Sequence, residues 1–354
     1  MKSELLAAMI CTSSISVVEA MEKIDKNAKG ILFVVSDSDE LIGSLSDGDI
    51  RRWLIKTGKM TAEISKCMNM NPKYIFETEI SKSEDFMLEH NINAIPVVDS
   101  ERRIKDVIFL KEKVHENSQN DLKMQNIPVI IMAGGKGTRL YPFTKILPKP
   151  LIPIGEIPII ERIINKFCEY GVSKFYLTVN YKKGMIKSYF SDLQHNYIIN
   201  YVEEDKPLGT AGSIKLIKDK FNTPVVITNC DTLIMTNYSK LMHYHITSGN
   251  DLTIVSALKN IVVPYGVLHA KKMGIITSME EKPKLSYFIN TGFYILNPEF
   301  ISKIPDGEIF HMTDLANLLL EEGYKVGMYP ISEENFLDMG EFEEMKRMEK
   351  KLHN

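Results

Sequence analysis

The order of apolar and polar positions divides the chain into two regions of different character. In the first region a single pattern occurs twice. Ala20 to Leu54 and Phe86 to Val114 each carry an amphipathic helical stretch, a short apolar run, a polar turn and a second apolar run. The runs predict strands at 31–35 and 41–45 in one copy, and at 94–98 and 104–109 in the other. Neither copy can bury both faces of its strands alone, so the copies are expected to pack on each other. From 111 to 126 the apolar pattern fades into charged, amide-rich sequence with the composition of a linker.

The second region reads differently. Pro128-Val-Ile-Ile-Met-Ala133 is a continuous apolar run, which predicts a parallel strand buried on both faces. Ile159, Ile160, Ile163, Ile164, Phe167 and Cys168 recur at helical spacing, and Gly171 fits the helix end. Strands are predicted at 175–179 and 225–228, with a helix over 210–221 before the second. This alternation predicts an α/β fold with a doubly wound, mostly parallel sheet. Such sheets take ligands at the carboxyl ends of their strands. The stretch 252–296 is richer in strand signals and predicts a mixed sheet over the pocket.

Composition changes this picture little. A chain of 354 residues suggests two domains. A net charge of -3 gives no basic excess for nucleic acid. The apolar run Leu5 to Ile10 is short for a secretory signal, and no run reaches the ~18–20 residues of a membrane helix. A cytoplasmic protein without nucleic acid or membrane partners is expected. Cys11, Cys67, Cys168 and Cys230 are far apart, so no CxxC pair exists and reduced thiols are expected.

The chemistry concentrates in Ala133-Gly-Gly-Lys-Gly-Thr-Arg-Leu-Tyr-Pro-Phe-Thr-Lys-Ile-Leu-Pro-Lys-Pro150. Gly134, Gly135 and Gly137 follow a buried strand and allow several N–H groups to converge on phosphate oxygens. Thr138 follows, and Arg139 and Lys149 add fixed positive charge. A Walker A loop would end in Gly-Lys-Ser/Thr, and a dinucleotide fingerprint would need glycine where Leu140 stands. A glycine cluster alone could equally be a structural turn.

The whole string, with Pro148-Lys149-Pro150, resembles the signature of the sugar-1-phosphate nucleotidyltransferases, from about Ile127 onward. That resemblance implies transfer of a nucleotidyl group from an NTP to a sugar 1-phosphate, with release of pyrophosphate. Arg139 and Lys149 would then hold the phosphates. Leu208-Gly-Thr-Ala-Gly-Ser213, alone a helix-capping turn, would contact the base through Gly209 and Thr210. Glu204 precedes it. A carboxylate only accepts, and guanine offers two adjacent donors, so Glu204 leans the nucleotide toward GTP.

By the same resemblance Asp231, at the end of the apolar strand from Val225, and Asp338, in Phe336-Leu-Asp-Met-Gly340, would bind Mg²⁺. Phe336 stands where the family has tryptophan. Gly266, Glu281 and Asn290 would contact the sugar and Lys282 its phosphate. The attacking group is a phosphate oxygen, largely deprotonated near neutrality, so no protein base is required. His243 and His245, two apart on a predicted helix, read as structural.

The repeated region resembles a pair of CBS modules. Its Gly43-Ser-Leu-Ser-Asp-Gly-Asp-Ile50 offers Ser46 and Asp49 to a nucleotide, whereas the second copy lacks the aspartate. A regulatory purine nucleotide, or a packing and dimerisation module without ligand, both fit, and a homo-oligomer is expected. The expected layout is an α+β CBS pair (Bateman module) at 1–117 and a linker at 118–126. A Rossmann-like, mostly parallel nucleotidyltransferase domain follows at 127–354. CBS pair and transferase together resemble the group in that family that makes GDP-glucosamine for legionaminic acid.

Overall fold

The computed structural model describes residues 6–27, 29–90, 92–109, 124–340 and 342–352. Contacts divide the chain into two compact units: Met1–Gln119 with Asn260–Ser286, and Asn120–Lys259 with Tyr287–Asn354. Most of the expected linker lies outside the described residues. Its end does not behave as a linker, because Met124 is buried in the core of the second unit.

In the first unit, β1 (Ile10–Thr12), α1 (Val17–Asn27), β2 (Ile31–Val35), β3 (Leu41–Ser46) and α2 (Asp47–Thr57) form one copy of the repeat. The other copy holds β4 (Ile75–Phe76), α3 (Ser83–Glu89), β5 (Ala94–Val98) and β6 (Ile104–Phe109). Each copy makes a three-stranded sheet with one parallel and one antiparallel pairing. Each sheet also shifts register near the same place, at Val34/Val35 and at Val97/Val98. Phe33 and Leu41 of one copy share a core with Ala94 and Val98 of the other. The copies therefore bury each other, as their patterning requires.

The second unit is built on a seven-stranded sheet. It begins with β7 (Val129–Met132). A small hairpin, β8 (Pro153–Ile154) with β9 (Ile157–Pro158), leads into α4 (Ile159–Cys168). Then come β10 (Lys174–Val179), α5 (Lys183–Ser191), β11 (Ile198–Glu203), β12 (Val225–Asn229), β13 (Thr232–Ile234) and α6 (Tyr238–Ser248). β14 (Leu252–Val262) and β17 (Lys284–Leu296) join the same sheet. Between them β15 (Val267–Ala270) and β16 (Ile276–Glu280) pair with each other as a two-stranded ribbon. The chain ends with α7 (Met312–Glu321), β18 (Val326–Ile331), β19 (Phe336–Asp338) and α8 (Phe342–Leu352).

The strand order is β11-β10-β7-β12-β17-β14-β18. The first four strands are mutually parallel, β17 runs antiparallel to β12, and β14 is parallel to β18. Alternate residues of one strand enter different cores. Val129 and Ile131 pack with Ile160, Ile163 and Phe167 of α4, whereas Ile130 packs with Leu315 and Leu319 of α7. Both faces are thus covered, which is why β7 reads as an unbroken apolar run.

Two expectations change. The strands in 252–296 do not form a separate mixed sheet, because β14 and β17 extend the central one. By contacts the ribbon between them groups with the first unit. The helix expected at 210–221 is one turn, Gly209–Gly212, then a 3-10 turn, Ser213–Leu216, after which the chain extends. The segment is held sideways instead: the amides of Ala211 and Gly212 both donate to the Phe310 carbonyl, at 2.9 and 3.0 Å.

His245 is a core residue. Its ring lies 2.8 Å from the Thr253 hydroxyl and 3.1 Å from Asn297 Oδ1. Burial pushes its pKa down, with the Asn297 contact acting in the opposite sense. The unfolded chain then takes up this proton at a higher pH than the folded chain does. Stability from this site is present above about pH 6.5 and is lost as pH falls below it. Denaturation midpoints should drop from pH 7.5 to 5.5, and the drop should shrink in His245→Asn.

Candidate active site

Four parallel strands deliver their carboxyl ends to one place. Met132 of β7, Thr178 of β10, Asn229 of β12 and Glu204, just past β11, all line a cavity of about 360 Å³. This is where a doubly wound sheet offers its ligand crevice. The glycine loop closes one side, through Gly134, Gly135, Gly137, Thr138 and Arg139. Lys149, Gly209, Thr210 and Asp231 complete the lining. The nucleotide and phosphate residues expected from the sequence therefore converge.

The loop is fixed by its own backbone. Leu140, fully buried, donates its amide to the Gly137 carbonyl at 3.0 Å, and Thr144 Oγ1 donates to the same oxygen at 2.9 Å. Gly134 is the point of closest approach to Glu204. A Cβ there would lie 2.7 Å from Glu204 Oε1. Glu204 is 6% exposed, and its Oε2 accepts the Leu208 amide at 3.2 Å. Burial raises its pKa, and the Leu208 bond partly offsets this. Glu204 thus lines the cavity and also ties the turn that follows it.

Charge is gathered opposite the loop. The Lys149 ammonium contacts the Asp231 carboxylate, and both side chains are nearly buried. Asp338 reaches the same spot from far along the chain because β19 pairs with β13, setting Asp338 opposite Thr232. The Met339 amide donates to the Asp231 carbonyl at 2.9 Å, which locks the pairing. Burial and the neighbouring Asp231 raise the Asp338 pKa, against the pull of Lys149 and Arg139. Two acids and two bases thus form one electrostatic cluster. Their charges already balance, so incoming phosphates would need further positive charge.

That need decides whether the residues fit magnesium. Among the described residues no group of three or more His, Cys, Asp or Glu could hold a metal ion. Magnesium does not require one, since it binds through one or two carboxylates plus substrate phosphates and water. Asp231 and Asp338 match that donor set.

The remaining expected residues are not among those that line the cavity. Gly266, Glu281 and Lys282 belong to the ribbon segment of the first unit. There Gly266 faces Glu281, whose Oε2 would be 3.1 Å from an added Cβ. Asn290, on β17, donates to the Tyr294 hydroxyl at 2.7 Å and accepts the Gly292 amide at 3.0 Å. Ser46 and Asp49 form a capping box on α2: the Ser46 amide donates to Asp49 Oδ2 at 2.8 Å, and the Asp49 amide donates to Ser46 Oγ at 3.2 Å. The cap bonds the two side chains to each other's backbone amides.

Sequence reasoning missed Asn229 and Pro207 in the cavity wall. Asn229 had a signal, because it ends β12, two residues before Asp231. None of the four cysteine thiols is poised as a thiolate. Burial pushes Cys11 and Cys67 up to about 11 and Cys230 up to about 12.

Gly209 shows how tightly the turn at the cavity wall is set. Its φ is +78°, and a Cβ would lie 2.6 Å from the Phe310 carbonyl oxygen. Gly209→Ala should cost about 1–3 kcal/mol and weaken nucleotide binding. Chemical denaturation and a nucleotide titration would read the two effects.

Comparison with known proteins agrees with this geometry. Residues 128–354 match the family described as Nucleotidyl transferase, and residues 4–56 match the CBS domain. The chain is 36% identical over 184 residues to a mannose-1-phosphate guanyltransferase of Debaryomyces hansenii, covering 49% of this chain and 51% of that one. It is 33% identical over 222 residues to a UTP–glucose-1-phosphate uridylyltransferase of Synechocystis, covering 56% and 57%. The chain spans about half the length of the curated relatives it matches. Among solved structures, HddC from Yersinia pseudotuberculosis aligns with a TM-score of 0.50 and 27% identity, over 64% of this chain and 99% of that one. No described helix is long and apolar enough to cross a membrane. With a match covering well over half of its length, and an amino-terminal CBS domain, this chain belongs to the nucleotidyl transferase family.

Proposed function

We propose that the chain transfers a nucleotidyl group from GTP to a sugar 1-phosphate, glucosamine 1-phosphate for preference, and releases pyrophosphate. The observation that carries the reading is the convergence of the glycine loop, Arg139, Lys149 and Asp231 on one cavity at the strand ends. A phosphate oxygen of the sugar 1-phosphate attacks the α-phosphorus. That bond forms as the bond from the α-phosphorus to the bridging oxygen breaks, and pyrophosphate leaves with the electron pair.

On this reading the loop amides and Thr138 hold the nucleotide phosphates, while Arg139 and Lys149 offset the charge that grows on the leaving group. Asn290 on β17, and Gly266, Glu281 and Lys282 of the ribbon segment, are the candidates for the sugar and its phosphate by the family resemblance alone. Magnesium, when bound by Asp231 and Asp338, would add cationic charge beside the phosphates. Glu204, an acceptor-only carboxylate in the cavity wall, would receive a guanine donor.

Support for glucosamine is the pairing of a CBS module with this domain. A mannose 1-phosphate acceptor fits as well, since several relatives carry that name, and the Synechocystis relative keeps UTP in play. A matrix of four NTPs against several sugar 1-phosphates, scored by pyrophosphate, tests the choice. Dominant turnover with UTP would sink the guanine assignment. A purine nucleotide at Ser46 and Asp49 of the CBS module, and assembly as a homo-oligomer, belong to the same proposal. Adding adenine or guanine nucleotides to the full chain should then change turnover.

A further inference from the structure

His311 stands outside every motif of the loop, yet it packs against the Gly209–Thr210 turn, which lines the cavity. It is the residue before α7, and its own amide donates to Asp314 Oδ2 at 2.8 Å. Its ring lies against the Gly209–Thr210 turn, with Cε1 3.1 Å from the position of a Gly209 Cβ. Its Nδ1 accepts the Thr210 amide at 3.4 Å.

The contact belongs to a two-sided clasp. Thr210 Oγ1 accepts the Met312 amide at 3.0 Å, and the Phe310 amide donates to the Leu208 carbonyl at 2.9 Å. In return the Phe310 carbonyl takes the amides of Ala211 and Gly212. Segments about a hundred residues apart are thereby held in register. Gly209 and Thr210 line the cavity directly, so whatever fixes the clasp fixes that wall.

The geometry points to His311 as a positioning residue for the nucleotide. Its imidazole holds the Thr210 amide and buttresses Gly209, so that the turn is preset to receive the base. The assignment rests on the nucleotidyl-transfer reading above. It concerns nucleotide affinity, not the phosphoryl chemistry, since His311 reaches the turn and not the charged cluster.

The test uses the full chain with His311→Ala, His311→Phe and His311→Asn. Alanine removes acceptor and ring. Phenylalanine keeps a ring and removes the acceptor, which guards against a folding failure of the alanine variant. Asparagine restores an acceptor at similar reach. Loss of one or two such contacts should raise KM and Kd for the preferred NTP about threefold to tenfold in the alanine and phenylalanine variants. Turnover at saturation and KM for the sugar 1-phosphate should stay within about twofold. Asparagine should recover most of the loss.

Unchanged nucleotide affinity in folded alanine and phenylalanine variants would overturn the assignment while leaving the enzymatic reading intact. A fall in kcat with KM unchanged would overturn it too. A wild-type chain that binds no NTP would overturn both.

Discussion

Replacing Asp231 with asparagine should lower turnover about a thousandfold while leaving the fold in place. Asparagine keeps the shape of the side chain and the backbone carbonyl that accepts the Met339 amide. What it removes is one negative charge, in contact with Lys149 and close enough to Asp338 to raise the latter's pKa. On the proposed chemistry that charge helps to recruit magnesium and sets the position of the Lys149 ammonium. Steady-state pyrophosphate release measures the loss, and a melting curve verifies the fold. Turnover within about tenfold of wild type would remove Asp231 from the reaction centre.

Lys149→Met carries the second large effect. The methionine keeps an apolar stem against Gly137, where a Cβ would lie 3.0 Å from Lys149 Cβ. It deletes the ammonium, and with it the partner of a nearly buried carboxylate. Turnover should fall about a hundredfold to a thousandfold, as for loss of other preorganised charges. Stability should fall as well, by up to about 3–5 kcal/mol, because breaking a buried pair strands the other charge. The two losses separate by experiment: denaturation reads the second, and rates normalised to folded protein read the first. A variant that is less stable but fully active would make Lys149 a structural ion pair and nothing more.

The residues behind these effects differ in how openly the sequence shows them. The glycine loop was readable because its chemistry is contiguous: strand, glycines, Arg139 and Lys149 lie within one stretch. Asp231 was readable because it ends an apolar run. The repeated strands of the first unit were readable because period and turn residues are local signals, and β2, β5 and β6 match the expected bounds.

What stayed hidden is long-range. No local pattern announces that β19 pairs with β13, or that Lys149 meets Asp231. The segment from Thr210 carries enough apolar residues to read as a helix. The Phe310 carbonyl and the close packing at Gly209 override that preference. His311 gave no signal at all, since its role depends on a turn about a hundred residues earlier. The ribbon at β15 and β16 was assigned by sequence order, and contacts group it with the other unit.

The glycine loop remains central, and what it now holds is a specific expectation about bond breaking. The most direct test mixes the purified chain with GTP, glucosamine 1-phosphate and magnesium, and follows phosphate products and nucleotide sugar together. One pyrophosphate is expected for each GDP-sugar formed, and neither product when either substrate is left out. Orthophosphate from GTP alone, or nucleotide binding without any pyrophosphate across all NTPs and sugar 1-phosphates, would contradict nucleotidyl transfer at this loop.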